Sequence, residues 1–337
     1  MGVHADTSPL LEINNLCVDY LLDQSRDGKE RLRAVDHVDL RVREGESLGI
    51  VGESGSGKST LAKAILRLLP TNGRVSGGET LYKGRNIYAL TREEFRRLRW
   101  AELAVVFQQA MNSLSPVHTI EQHLVDIYRV HNPGASRDEV RERGLELLSV
   151  VGLDKQALQS YAHELSGGML QRTMIMLSLI CAPSLLILDE STTALDVITQ
   201  NQILDEISRL KEQFGLTTVI ISHDISTVSE TVDRVAIMYG GRLMEVGSVD
   251  QVLRKGVHPY SRALVHSFPY LGDTRQRIEG IPGAPPDLTK EHSGCIFVER
   301  CLDKREICHQ EVPPRVDVQS EHYAFCHYPV VCQREVQ

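Results

Sequence analysis

Apolar positions fall along this chain in three successive arrangements. Up to Val51 they form short runs rich in β-branched residues: Leu11 to Tyr20, Ala34 to Val42 with Val35, Val38, Leu40 and Val42 apolar, and Ser47 to Val51. Such runs, with a polar loop from Asp23 to Arg31 between the first two, predict strands. A helix is expected over Leu61 to Leu69, turns at Asn72-Gly73 and Gly77-Gly78, a strand over Glu79 to Lys83, a charged helix over Arg92 to Trp100 and a buried strand over Ala104 to Phe107. From Ser115 to about Ala162 the pattern turns helical and charged, as in Arg137 to Val151 with Val140, Leu145, Leu147, Leu148 and Val151 on its apolar side. Strand and helix then alternate: Ser184 to Asp189, Val197 to Phe214, Thr217 to Ser222, and a hairpin of Asp233 to Met238 with Arg242 to Val246 about Gly240-Gly241. Alternation of this kind predicts an α/β sheet carrying its site at the strand ends. Beyond Lys255 the chain is polar and interrupted by prolines, so a boundary is expected near 250 to 260.

The stretch Gly52, Glu53, Ser54, Gly55, Ser56, Gly57, Lys58, Ser59, Thr60 lies between the buried run ending at Val51 and the helix beginning near Leu61. Strand, glycine loop and helix in that order form a phosphate-binding loop. Its glycines let backbone N–H groups converge, the helix adds its positive end, Lys58 can reach the β and γ phosphates of a nucleoside triphosphate, and Ser59 can ligate Mg²⁺. Such a loop needs a metal-holding acid at the end of a nearby strand, and Asp189 supplies one, with Glu190 beside it to polarise an attacking water.

Composition narrows the picture. A hydrophobic fraction of 42% can fill a core, and 337 residues suit one large domain with an appendage. The net charge of −8 and the absence of any basic run argue against a nucleic-acid partner. Met1 to Leu10 lacks the basic and apolar regions of a signal peptide, and no apolar run approaches the roughly 18 residues of a membrane span, so the chain is expected in the cytoplasm.

Between the glycine loop and the Asp-Glu strand lie Ser166, Gly167 and Gly168; Gln108 follows one strand, His223 another, and Asp196 closes Ala194-Leu195-Asp196. In this order the motifs resemble the ATPase subunit of an ABC transporter over about residues 10 to 260. The resemblance implies a P-loop fold with a RecA-like core, a β-rich subdomain and a helical insert, working as a head-to-tail dimer with ATP between the P-loop of one subunit and the Ser-Gly-Gly segment of the other. It gives Gln108 a place at Mg²⁺ or water, His223 one at the γ-phosphate, and Tyr20 one against adenine. Gln109-Ala110 and Ser191 depart from the usual residues, and no reacting group is missing.

Five of the seven cysteines follow residue 294, and Cys295, Cys301, Cys308 and Cys326 have a spacing that matches neither the common zinc nor the ferredoxin patterns. With His258-Pro259-Tyr260 and the Ile281-Pro282-Gly283 stretch, this region resembles the C-terminal part of oligopeptide and dipeptide permease ATPases. That resemblance implies a [4Fe–4S] cluster on the four cysteines, with zinc as the alternative since His309 and His327 are at hand. It also implies a division into an ABC ATPase domain over 10–255 and an appended region over 256–337. The expected partners are two transmembrane permease subunits, a second, related ATPase subunit and an extracytoplasmic solute-binding protein, at the cytoplasmic face of the membrane. Peptide is the expected cargo; nickel or oligosaccharides, and a soluble ATPase of DNA repair or translation, stand as alternatives.

Overall fold

A computed structural model describes residues 8–22, 30–107, 114–190, 197–267 and 280–330. In chain order the elements are β1 (Pro9–Leu21), β2 (Arg31–Arg43), β3 (Ser47–Val51), α1 (Lys58–Ile65), β4 (Gly73–Tyr82), β5 (Arg85–Asn86), α2 (Arg92–Leu98), β6 (Leu103–Phe107), α3 (Ile120–His131), α4 (Arg137–Val150) and α5 (Gly167–Leu179). They continue with β7 (Leu185–Asp189), α6 (Val197–Phe214), β8 (Thr217–Ser222), α7 (Ile225–Ser229), β9 (Arg234–Tyr239), β10 (Arg242–Ser248), α8 (Val249–Lys255), α9 (Pro259–His266), α10 (Glu306–Gln310), β11 (Arg315–Gln319) and β12 (His322–Phe325). The chain forms two compact units, one of residues 9–42, 48–88 and 221–337, the other of 1–8, 43–47 and 89–220.

The first unit holds the glycine loop. Its four-stranded sheet has the order β2-β1-β4-β5, and a second sheet joins β11, β12, β10, β9 and the loop-bearing strand β3, with β3 parallel to β9 and the remaining pairs antiparallel. All five residues of β3 are buried, as an apolar run flanked by strands requires. The expected hairpin is present, turning through Gly240 and Gly241, both at positive φ. The pair Gly77-Gly78 is not a turn. It lies inside β4, where the register against β1 shifts, and Gly78 at φ 75 sits so close to Asn15 that a Cβ would lie 2.2 Å from its carbonyl oxygen. Helix α1 begins at Lys58 and stops at Ile65, short of Leu69, because Arg67 turns to a φ of 51 and donates to the Ile87 carbonyl at 3.1 Å.

The second unit carries the helices. Here β6 and β7 run parallel, and α3 and α4 start on side-chain caps from Thr119 and Ser136. Val140, Leu147, Leu148 and Val151 are buried as the periodicity predicts, whereas Leu145 is exposed. Among the described residues no helix is long and apolar enough to cross a membrane.

Candidate functional site

Buried β3 delivers the chain to Gly52, and packing there leaves room for nothing larger. A Cβ at Gly52 would lie 2.1 Å from the Met238 carbonyl oxygen, and one at Gly57, whose φ is 99, would lie 2.2 Å from that of Ala34. Gly55 also has a positive φ, of 78. The loop folds back over its own lysine. Lys58 is 3% exposed, and its Nζ donates to the carbonyls of Gly52 at 2.8 Å and Glu53 at 2.9 Å and to Ser56 Oγ at 3.3 Å. Three neutral oxygens hold the ammonium in the concavity, where phosphate oxygens would take their place. Helix α1 opens at Gly57 with no side-chain cap, so its positive end faces the loop. Ser54 and Gly55 are exposed at the crest, and Ser59 and Thr60 are partly exposed. Tyr20 stands beside this helix, its hydroxyl 3.2 Å from Thr60 Oγ1.

Glu53 turns its carboxylate onto Arg300 of the C-terminal segment at 2.6 and 3.0 Å, and its N–H donates to the Tyr260 hydroxyl at 3.1 Å. Sequence reading missed both partners, since nothing in the local pattern around Arg300 or Tyr260 refers to the loop. His223, just past β8, is exposed.

In the other unit, fully buried β7 ends on Asp189, which is 5% exposed, with Glu190 partly exposed after it. Glu190 has a φ of 47, a conformation that costs a side-chain-bearing residue energy and is concentrated at functional positions. Ser166 caps α5, its hydroxyl oxygen accepting from the Met169 N–H at 3.4 Å, and both Ser166 and Gly167 are exposed. Gly168 is pressed against α6, a Cβ there falling 2.8 Å from Thr199 Cγ2. Arg172 ties the two helices through Glu206 and Gln202, each at 3.1 Å. Gln108 and Asp196, with Gln109, Ala110 and Ser191, lie outside the described residues.

The cysteine region corrects the sequence-based expectation. Cys295, Cys301, Cys308 and Cys326 line one cavity, but it measures about 20 Å³, room for about one water and not for a four-iron cluster. No three of these sulfurs converge within 4.8 Å as zinc ligands would; among the described residues the one group that meets that distance is Cys17, Asp36 and His37. There the Asp36 carboxylate is already taken by Arg33 at 3.3 Å and Arg242 at 2.5 Å. Burial pushes the Cys295 and Cys326 thiols up to about 11 and raises that of Cys301. The [4Fe–4S] and zinc readings are therefore withdrawn. The four cysteines come together around one small cavity, Cys308 buried and the other three half-buried. Cys17 is buried, Cys181 is half-buried, and Cys332 lies outside the described residues.

Comparison with known proteins gives these features a context. The profile of the family described as ABC transporter matches residues 35–193, and that of the oligopeptide/dipeptide transporter C-terminal region matches 244–308. A probable peptide ABC transporter ATP-binding protein of Sinorhizobium fredii, y4tR, is 44% identical over 87% of this chain and 89% of its own length. The oligopeptide transport ATP-binding protein OppD of Salmonella typhimurium is 40% identical over 95% and 94%. Among solved structures, the dimeric ABC transporter cassette MJ0796 in a post-hydrolysis state bound to ADP and Pi superposes with a TM-score of 0.62 at 28% identity, covering 71% of this chain and 98% of that one.

Proposed function

The chain belongs to the ATP-binding proteins of ABC transporters, in the peptide-transport branch, and on that premise we propose that it hydrolyses ATP to drive uptake of di- and oligopeptides through membrane-spanning permease subunits. The observation that carries this reading is one chain joining two parts: a glycine loop closed around a buried lysine, and a C-terminal region of the oligopeptide/dipeptide type. Peptide, rather than nickel or sugar, is favoured because the relatives described above are named for peptide transport.

In this reading residues 10–255 are the ATP-hydrolysing domain and 256–337 the appended region. The amides from Gly52 to Thr60 and the Lys58 ammonium hold the phosphates, and Tyr20 stacks on adenine. Ser59, Asp189 and Gln108 would hold Mg²⁺, a hard cation suited to hydroxyl, carboxylate and amide oxygens, which when bound offsets charge on the β and γ phosphates. Glu190 takes the proton of the attacking water and His223 steadies the γ-phosphate. Ser166, Gly167, Gly168 and Asp196 act from a second ATPase subunit across a head-to-tail dimer, and the exposure of Ser166 and Gly167 supports their meeting a partner. That second subunit is a related chain, and an extracytoplasmic solute-binding protein selects the cargo. The chain itself sits at the cytoplasmic face of the membrane.

Co-purification of the tagged chain from its own membranes in mild detergent tests the proposal. Two permease subunits, a second ATPase and a peptide-binding protein are expected. Ribosomal or DNA-repair proteins with no membrane protein would overturn it.

A further inference from the structure

The buried guanidinium of Arg300 has five N–H donors, and each has an acceptor. Nε donates to the Pro282 carbonyl at 2.8 Å; Nη1 donates to Glu53 Oε2 at 2.6 Å and to the Tyr239 hydroxyl at 3.1 Å; Nη2 donates to Glu53 Oε1 at 3.0 Å and to the Ile281 carbonyl at 3.0 Å. The side chain is 4% exposed, lies over the Tyr239 ring at 5.5 Å, and is wrapped by the turn at Gly283, where a Cβ would come within 3.0 Å of its Cγ. A surface arginine has no such arrangement. This one spans 247 residues of sequence to fix a single side chain of the glycine loop.

Residue 53 is thereby held at three points. Its carboxylate is on Arg300, its N–H donates to the Tyr260 hydroxyl, and its carbonyl accepts from Lys58 Nζ at 2.9 Å. Tyr260 and Tyr239 are in ring contact at 4.6 Å, and Phe297, three residues before Arg300, packs on both. Pro285 and Pro286 of the same segment line the outer side of the loop beside Ser54 and Ser56. The carbonyl that Lys58 holds is thus placed by the C-terminal segment.

We propose that Arg300 is a positioning residue for nucleotide binding: through its fork onto Glu53 it sets the resting shape of the phosphate-binding loop, and with it the place from which Lys58 engages the phosphates. This rests on the reading of Gly52 to Thr60 as that loop. The fork geometry is essential, because a lysine keeps the charge but offers three donors from one point and cannot bridge the carboxylate, the Tyr239 hydroxyl and two carbonyls together. The C-terminal region is accordingly a brace for the ATP site.

The experiment measures binding of a fluorescent ATP analogue with Mg²⁺, together with the melting temperature, on the full chain and on Arg300→Lys, Glu53→Gln, their double variant and Lys58→Ala. Glu53→Gln tests the contact from the loop side, where the side chain is 27% exposed; it keeps the shape of the residue and leaves Arg300 itself in the sequence, while one of the two accepting oxygens of the fork becomes an N–H₂. Each of the first two variants is expected to bind about tenfold more weakly, the effect of losing a charge-assisted fork that preorganises a loop. The double variant is expected to bind no more weakly than the poorer single one, and Glu53→Gln to melt within a few degrees of the parent. Affinity of Glu53→Gln within twofold of the parent, or losses that multiply in the double variant, overturns the positioning role. Lys58→Ala separates the two levels: if it abolishes binding while Glu53→Gln does not weaken it, the loop reading stands and the Arg300 role falls, whereas undiminished binding by Lys58→Ala would bring down the loop reading itself.

Discussion

Glu245 on β10 is the buried acid on which the C-terminal segment is hung. It is 0% exposed; Oε1 accepts from the Val257 N–H at 3.0 Å and from His322 Nε2 at 2.7 Å, and Oε2 accepts from the His258 N–H at 2.9 Å. One carboxylate therefore secures both the start of α9 and strand β12, which pairs with β10 at Glu245 and Val246. In Glu245→Ala three buried donors lose their acceptor. Each unsatisfied donor costs about 1–3 kcal/mol, and water entering the vacated space recovers part of this, so the expected loss is about 4 kcal/mol. Glu245→Gln keeps one accepting oxygen but turns an amide N–H₂ toward a donor, for a loss of about 2 kcal/mol. For a cooperative unit of this size each kcal/mol lowers the melting temperature by roughly 2–4 °C. Thermal melting followed by far-ultraviolet circular dichroism should place Glu245→Ala about 10 °C below the parent and Glu245→Gln about midway. An alanine variant melting within 2 °C of the parent would refute the anchoring argument.

Other expectations follow from the same geometry. Gly52→Ala brings a methyl within 2.1 Å of the Met238 carbonyl oxygen, so the loop must distort and ATP binding should fall at least tenfold in equilibrium titration. Glu190→Gln should bind ATP as the parent does and turn it over at least a hundredfold more slowly in a phosphate-release assay, as expected when a water-activating base is removed; near-parental turnover rejects the base assignment. His258 is buried against Glu245 and near His322, and desolvation lowers its pKa from the ordinary 6.5 to about 4. Its folded-state pKa is the lower one, so between pH 6.5 and 4 the unfolded chain takes up a proton that the folded chain does not. The associated stability, about 3 kcal/mol, is present above pH 6.5 and is lost as pH falls through that window. His258→Asn keeps a capping acceptor for the Tyr260 N–H and removes the titration, so its denaturant midpoint should vary less from pH 7 to pH 5 than that of the parent.

Much of this was legible because it is local. The glycine loop announces itself in nine consecutive residues, and β3, β7 and β8 were readable from apolar runs that are buried throughout. The misreadings occurred where a distant partner decides. Gly77-Gly78 reads as a turn until β1 lies alongside, when the pair becomes the bulge that lets Asn15 approach. Leu145 keeps the apolar period of α4 but faces outward, because periodicity gives a helix a face and packing decides how wide that face is. The cysteine spacing showed a cluster without its interior, and that interior is too small for a four-iron cluster, with no three of the sulfurs close enough to share one ion. Arg300 and Glu53, 247 residues apart, form a contact that only the fold could supply.

The most direct test of the central claim is uptake of a radiolabelled tripeptide by cells from which the gene for this chain has been deleted, complemented with the parent or with Glu190→Gln. Uptake restored by the parent and not by Glu190→Gln is the predicted result. Uptake that persists in the deletion strain, or that Glu190→Gln restores in full, would contradict the assignment of this chain as the ATP-hydrolysing engine of peptide import.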